Sequence, residues 1–408
     1  MPRHGVFTMT CRRRGRCHIT ASRVQSARTM GLSVVIPVGT AHERPGEAGF
    51  AHLSEHLMHQ YARDQWGEIV EDQIVRVGGI SNAQTYPFHT EYSFVIPAPA
   101  EAEIPDWIDR AIARVAPPRI TSVDIECEGR IIRQEVARRM STSPTAGFPW
   151  IDALGVLSTD FGLRHNGFSD LADIEAATPE AIERFLHRTY SPAPVAVGVA
   201  GPWSPDLLLD LLGCEEGEPE TAATDAYTAA FGDLIDGPHH QQSSVATQIP
   251  MYSSIRYVPD AHGAAPESAQ AHSMIAVEWA NAVSPGTYWQ AGLFGATMGP
   301  DHRVLIGSRP QGADIEVPQW ADTPSDRRSE LFVHAQQRAL DNIDKELSST
   351  ATHAAMLARD GAFGIQTWAR RCAVAQTTPE EIDQYLWHAR ACAAGTLSSA
   401  APTGVGRS

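Results

Sequence analysis

The chain has 408 residues, a net charge of −16, and 43% apolar residues. That length exceeds one ordinary core and predicts two or more domains, and the apolar fraction is that of a globular protein. The acidic balance argues against a nucleic-acid binder and gives no basic face for an anionic membrane, and no run of 18 apolar residues exists to span a bilayer.

The amino terminus, MPRHGVFTMTCRRRGRC, is basic but has no apolar h-region, so it reads as a hairpin turn or solvated face rather than a signal peptide. Cys11, Cys17, Cys127, Cys214, Cys372 and Cys392 form no CxxC pair, which predicts reduced thiols in a cytoplasmic protein. GLSVVIPVG (Gly31–Gly39) reads as a buried strand. GFAHLSEHLMHQY follows (Gly49–Tyr61), with Phe50, Leu53, Leu57 and Tyr61 at the spacing of an amphipathic helix. On that helix His52 and His56 stand one turn apart on one face, so both imidazoles can reach one ion. Glu55 projects beside them, better placed to take a proton from water at a metal than to be a third ligand. His59 lies one turn beyond Glu55 and competes as a ligand candidate. Catalytic zinc needs a third protein ligand and an open position.

Further along, the pattern predicts a helix around Trp66–Val77, a strand pair over Ser81–Pro97 and helices near Trp107–Val115 and Ser122–Arg139. In SVDIECEGRIIRQEVARR, Glu128 and Glu135 are two turns apart on one face. A strand at Val195–Ala200 closes the half. Strands and helices intermixed with antiparallel hairpins predict an α+β sandwich rather than a doubly wound fold. TPEAIERFL from Thr178 and TPEEIDQYL from Thr378 share an N-cap Thr, Pro at the first helical position and matching apolar residues. The repeat predicts two related α/β sandwich half-domains, each a mostly antiparallel sheet covered by helices. Residues 1–213 would form the first, 214–250 a polar linker, 251–394 the second, and 395–408 a disordered tail.

With HLSEH, Glu128 and Glu135 in place, the sequence resembles the pitrilysin/insulysin family of zinc peptidases, the inverzincins, whose HxxEH motif is followed by a ligand glutamate. Glu135 falls 79 positions after His56, and Glu128 stands where the family carries an acidic residue seven positions earlier. GGISNAQTYPFHTEY (Gly78–Tyr92) is similar to the family's Asn-Ala-x-Thr strand, and Asn166–Gly201 to the end of its catalytic half-domain. The resemblance implies Zn2+ on His52, His56 and Glu135, with Glu55 as general base, passing its proton on to the leaving amine. It makes Glu128 an acidic partner that orients a ligand or holds charge near the metal, and His59 a supporting or structural residue. Asn82, Ala83 and Thr85 would lie on an edge strand that takes the substrate backbone by β-augmentation.

The second half has no HxxEH. Relatives carry there an arginine and, a few residues on, a tyrosine that together anchor the substrate. Arg303 and Arg309 align with the arginines, while Ile315 or Glu316 stands where the tyrosine is expected. Family members of this size close as clam-shell dimers, some with zinc on one subunit and the anchor on the other. The resemblance therefore implies an endopeptidase that processes or degrades peptides, extending to removal of a leader from a ribosomally made peptide. The chain would be the zinc-bearing subunit of a heterodimer with a homologous partner. A homodimeric peptidase and a non-catalytic peptide-binding relative are the alternatives.

Overall fold

The structure, a computed structural model, describes residues 9–14, 16–143, 145, 147–165, 171–212, 215–216, 234–235, 239–261, 264–292, 302–310, 312 and 314–400. The chain divides into two compact units. The first comprises Met1–Arg133, Gly167–Ala229 and Asp344–Gly364, and the second comprises Gln134–Asn166, Ala230–Ile343 and Ile365–Ser408.

The first unit is built on seven strands: β1 (Met9–Arg14), β2 (Cys17–Arg23), β3 (Thr29–Ile36), β4 (Ile80–Thr85), β5 (Thr90–Pro97), β6 (Val195–Gly201) and β7 (Glu215–Glu216). Their order is β4-β5-β3-β6-β2-β1-β7, and β2 with β6 is the parallel pair. The basic amino-terminal run is the β1–β2 hairpin, with Arg14 opposite Cys17. Every residue of β6 is buried, as a strand covered on both faces requires. One cover is the helix Thr350–Ala362, which packs on β2, β3 and β6. It comes this close because a Cβ at Gly31 or Gly198 would stand 2.0 Å from a carbonyl oxygen of Thr350 or Ala354.

The second unit has β8 (His239–Ala246), β9 (Tyr252–Tyr257), β10 (Tyr288–Ala291), β11 (Val304–Arg309) and β12 (Ala394–Ala400), in the order β10-β11-β9-β12-β8. Here β12 runs parallel to β8 and antiparallel to β9, as β6 runs parallel to β2 and antiparallel to β3. Each of these strands follows one of the repeated helices, Pro179–Thr189 or Pro379–Ala391, and both helices are capped by their threonine. Five strands of each sheet thus share one topology, the duplicated α/β sandwich.

Three boundaries differ from the sequence reading. Residues 239–246, expected within the linker, form β8, and residues 395–400, expected in a disordered tail, lie in β12. Their backbones hydrogen-bond to each other, which polar composition does not reveal. The half-domains also exchange segments: 134–166 groups with the second unit and 344–364 with the first. Among the described residues no helix is long and apolar enough to cross a membrane.

Candidate metal centre

Helix α1 (Phe50–Tyr61) is set by its apolar side: Phe50, Leu53, Leu57 and Met58 are buried, and Phe50 meets Phe185 edge-on at 6.1 Å. Gly49 begins it at φ 89°, a left-handed conformation suited to glycine. Glu43 caps it from outside. Its carboxylate, buried to 3% exposure, accepts from the amides of Gly49 (2.9 Å) and Ala51 (2.6 Å), where the helix dipole favours an anion.

On the opposite side of α1, the His52 and His56 rings lie 4.9 Å apart. Donor atoms of His52, His56 and Glu135 all fall within 4.8 Å of one another, the one such cluster among the described residues. Glu135 is carried by α4 (Ser122–Thr142); the division between units falls inside this unbroken helix, between Arg133 and Gln134. Arg139, one turn on, pairs with Glu135 at 2.6 Å from the surface. Two imidazoles and one carboxylate are the donor set that zinc takes when it keeps a coordination position open, so the residues fit a catalytic zinc ion.

The surrounding groups have distinct tasks. Glu128, also on α4 and buried, accepts from His56 Nδ1 at 3.1 Å and from Tyr61 Oη at 3.2 Å. That bond puts the proton on Nδ1 and leaves Nε2 of His56 as the ligating atom. Burial and the adjacent Glu128 push the Tyr61 hydroxyl up to about 12, so it stays a donor. Glu55 is buried on α1, with Oε2 4.0 Å from His52 Nε2 and accepting from Thr85 Oγ1 at 3.1 Å. Thr85 therefore has a side-chain role beyond its place on the strand.

His59 stands outside the cluster. Its Nδ1 lies 2.7 Å from the guanidinium of Arg114, which has no proton-accepting atom, so the ring accepts there. Burial and Arg114 push its pKa down to about 4, which keeps the ring neutral. Asn82 and Ala83 lie on β4, which among the described residues pairs with β5 and no other strand. Asn82 is exposed and Ala83 half-buried.

In the second unit, Arg309 ends β11 opposite Tyr252. Arg303 is held by Asp260 through Nε (3.0 Å) and Nη2 (2.6 Å). Ile315 is core, at 6% exposure, and Glu316 pairs with Arg390. The place expected for an anchoring tyrosine is thus filled by a packed aliphatic residue and a surface ion pair. Sequence reasoning did not single out Glu43 or Arg114, and it took Tyr61 only as an apolar helix position. The signal for Tyr61 was its place on the site helix, five residues past His56.

The structure thus pairs a duplicated α/β sandwich with a histidine–carboxylate cluster of His52, His56 and Glu135. A family model described as Insulinase (Peptidase family M16) matches residues 19–145, a segment that contains His52, His56 and Glu135. An uncharacterised zinc protease of Mycobacterium leprae is 27% identical over 204 residues, 48% of this chain and 43% of the relative. The chain thus matches less than half the length of that curated relative. A protease from Helicobacter pylori has the same fold, with TM-score 0.67 and 14% identity over 97% of this chain and 99% of that one. The first half of the periplasmic protease PqqL from Escherichia coli likewise aligns with TM-score 0.66 and 14% identity, over 96% and 91% of the two chains.

Proposed function

We propose that the chain is a zinc-dependent endopeptidase that cleaves or processes peptides, and that it is the zinc-bearing subunit of a heterodimer acting in the cytoplasm. The observation that carries this reading is the convergence of His52, His56 and Glu135 beside a buried Glu55. Zinc held by these residues would supply Lewis acidity, polarising the scissile carbonyl and acidifying water. Glu55 would take the proton of the attacking water at its carboxylate and deliver it to the leaving amine nitrogen, breaking the C–N bond. Thr85 fixes the rotation of that carboxylate through its bond to Oε2. The outer edge of β4 would accept an extended peptide as an added strand, with Asn82 and Ala83 at the centre of the contact. Recognition through main-chain hydrogen bonds is tolerant of side chains, which suits processing of a precursor or leader segment.

The heterodimer follows from the anchor. Among the described residues Ile315 is packed and Arg303 is bound to Asp260, which leaves Arg309 as the candidate anchor of the pair, so an intact arginine–tyrosine pair would come from a homologous subunit. The test is metal analysis and peptide cleavage by the protein and by its His52→Ala and Glu135→Gln variants. Wild-type protein should hold one zinc and cleave an unfolded peptide, and both variants should lose metal and activity together. Undiminished zinc in both variants would remove the assignment.

A further inference from the structure

An edge strand that must receive a substrate has a mechanical problem. Among the described residues strand β4 is hydrogen-bonded to β5 alone, and its other edge has to stay open for a substrate, so the sheet holds it from one side. The remaining hold must come from beneath, from the helices its inward face meets. That face consists of Ser81, Ala83 and Thr85, while Ile80, Asn82 and Gln84 point outward and are exposed.

Two of the three inward residues carry hydroxyls, and each ends on a carboxylate of a different helix. Thr85 donates to Glu55 on α1. Ser81 reaches both oxygens of Glu71, at 2.6 and 2.7 Å, on the helix Val70–Arg76 (α2). Glu71 is itself fixed. Arg114, just past the helix Ile104–Ala113 (α3), donates to it at 2.6 Å and to His59 on α1 at 2.7 Å. Arg114 has 0% exposure, and its guanidinium stands 5.8 Å from the Phe94 ring centre on β5. A guanidinium buried this fully is tolerated only with its partners in place, so the arrangement resists rearrangement. The two hydroxyl bonds lie four residues apart, roughly 13 Å along the strand, with Ala83 between them.

We propose that Ser81, Glu71, Arg114 and His59 are positioning residues that hold β4 against the helix bearing the metal ligands, as a second pin alongside Thr85–Glu55. With one pin the Asn82–Ala83 segment can swing about Thr85; with two it is presented at a fixed distance from the ligands. This rests on the reading of β4 as the substrate strand. Preorganisation of this kind lowers the cost of peptide binding and leaves metal binding alone.

The handle is Ser81→Ala, which removes one hydroxyl and leaves the buried Arg114 paired with Glu71 and His59; Ser81→Thr restores the hydroxyl. Two measurements separate the pin from the peptidase reading. Hydrogen exchange of the amides of residues 80–85 needs no substrate, and should accelerate about tenfold in Ser81→Ala, the worth of a hydrogen bond to a charged group. Affinity for an extended, uncleaved peptide is measured on the zinc-loaded Glu55→Gln background. It should weaken by about tenfold with Ser81→Ala and recover with Ser81→Thr, zinc content staying constant. Exchange and affinity both unchanged in Ser81→Ala would overturn the proposal. If the Glu55→Gln parent binds no peptide, the substrate-strand reading fails, and unchanged exchange alone would then overturn the pin.

Discussion

Glu128 is where the site is most sensitive to a single atom. Its carboxylate accepts from two donors, His56 Nδ1 on Oε2 and Tyr61 Oη on Oε1, at 3.1 and 3.2 Å, with 3% exposure. Replacing it by alanine leaves both donors without this acceptor and frees the His56 ring to adopt the other tautomer. A hydrogen bond to a charged group is worth about 1.5–3 kcal/mol, and about 1.4 kcal/mol is tenfold in an equilibrium constant. Glu128→Ala should therefore weaken zinc binding roughly 10- to 100-fold, the range usual for partners of metal-ligating histidines. Glutamine is a finer probe, because its amide has one acceptor and turns an N–H toward either His56 or Tyr61. Glu128→Gln should lose less affinity than Glu128→Ala, because its amide oxygen can accept from His56 while its N–H donates to the Tyr61 oxygen, and adding Tyr61→Phe should deepen the loss by removing that acceptor. Competition with a chelator of known zinc affinity reads this directly. Equal affinity in Glu128→Ala and Glu128→Gln, unmoved by Tyr61→Phe, would refute the tautomer argument.

Glu55→Gln should keep its zinc while peptide cleavage falls roughly 100- to 10,000-fold, the usual scale of general-base catalysis; loss of zinc in that variant would show Glu55 to be a ligand. His89 is fully buried, and burial with the nearby Arg359 charge pushes its pKa down to about 3 from 6.5. The folded state then refuses a proton that the unfolded chain accepts, so stability is full above pH 6.5 and is lost as pH falls toward 3. The loss is about 1.4 kcal/mol per pH unit, or about 2 kcal/mol at pH 5, and denaturant melts should show His89→Phe flattening that acid limb. Co-expression with a homologue carrying an intact arginine–tyrosine pair should raise peptide cleavage well above that of the isolated chain, since misplacing a substrate by about 1 Å can cost on the order of 100-fold; full activity in the isolated chain, unchanged by the homologue, would rule the heterodimer out.

The candidate ligands on α1 were legible because their spacing is local, whereas Glu135, 79 positions after His56, was reached through the family resemblance. His52 and His56 share a helix turn, and Glu135 sits on a second helix whose Glu128 lies two turns back on the same face. The supporting residues were not legible, for a physical reason. Glu43 reaches the amides of α1 across a loop, and Arg114 meets His59 from 55 positions away. No periodicity encodes such contacts, because they exist only once the helices have packed. His59 shows the limit from the other side. It shares a helix face with Glu55 and satisfied the same spacing argument as a ligand, yet a buried arginine claims its nitrogen.

The same division between local and distant signals explains the fold. The Thr-Pro caps at Thr178 and Thr378 are written in consecutive residues, so the duplication could be read directly. Membership of a unit is decided by fit between remote surfaces. The helix Thr350–Ala362 joins the first sheet because Ala354, Ala355 and Ala358 present little bulk, and Gly31 and Gly198 offer none in return. The duplication also separates scaffold from chemistry inside a single chain. The helix Pro266–Val283 stands between β9 and β10 as α1 stands between β3 and β4, in a sheet of the same topology. It carries no HxxEH, and the described residues of the second unit alone assemble no cluster of metal donors. One architecture thus occurs twice here, and among the described residues the one donor set is His52 and His56 with Glu135. Likeness of fold cannot by itself assign hydrolysis to either half; the proposal rests on the side chains that α1 and α4 bring together.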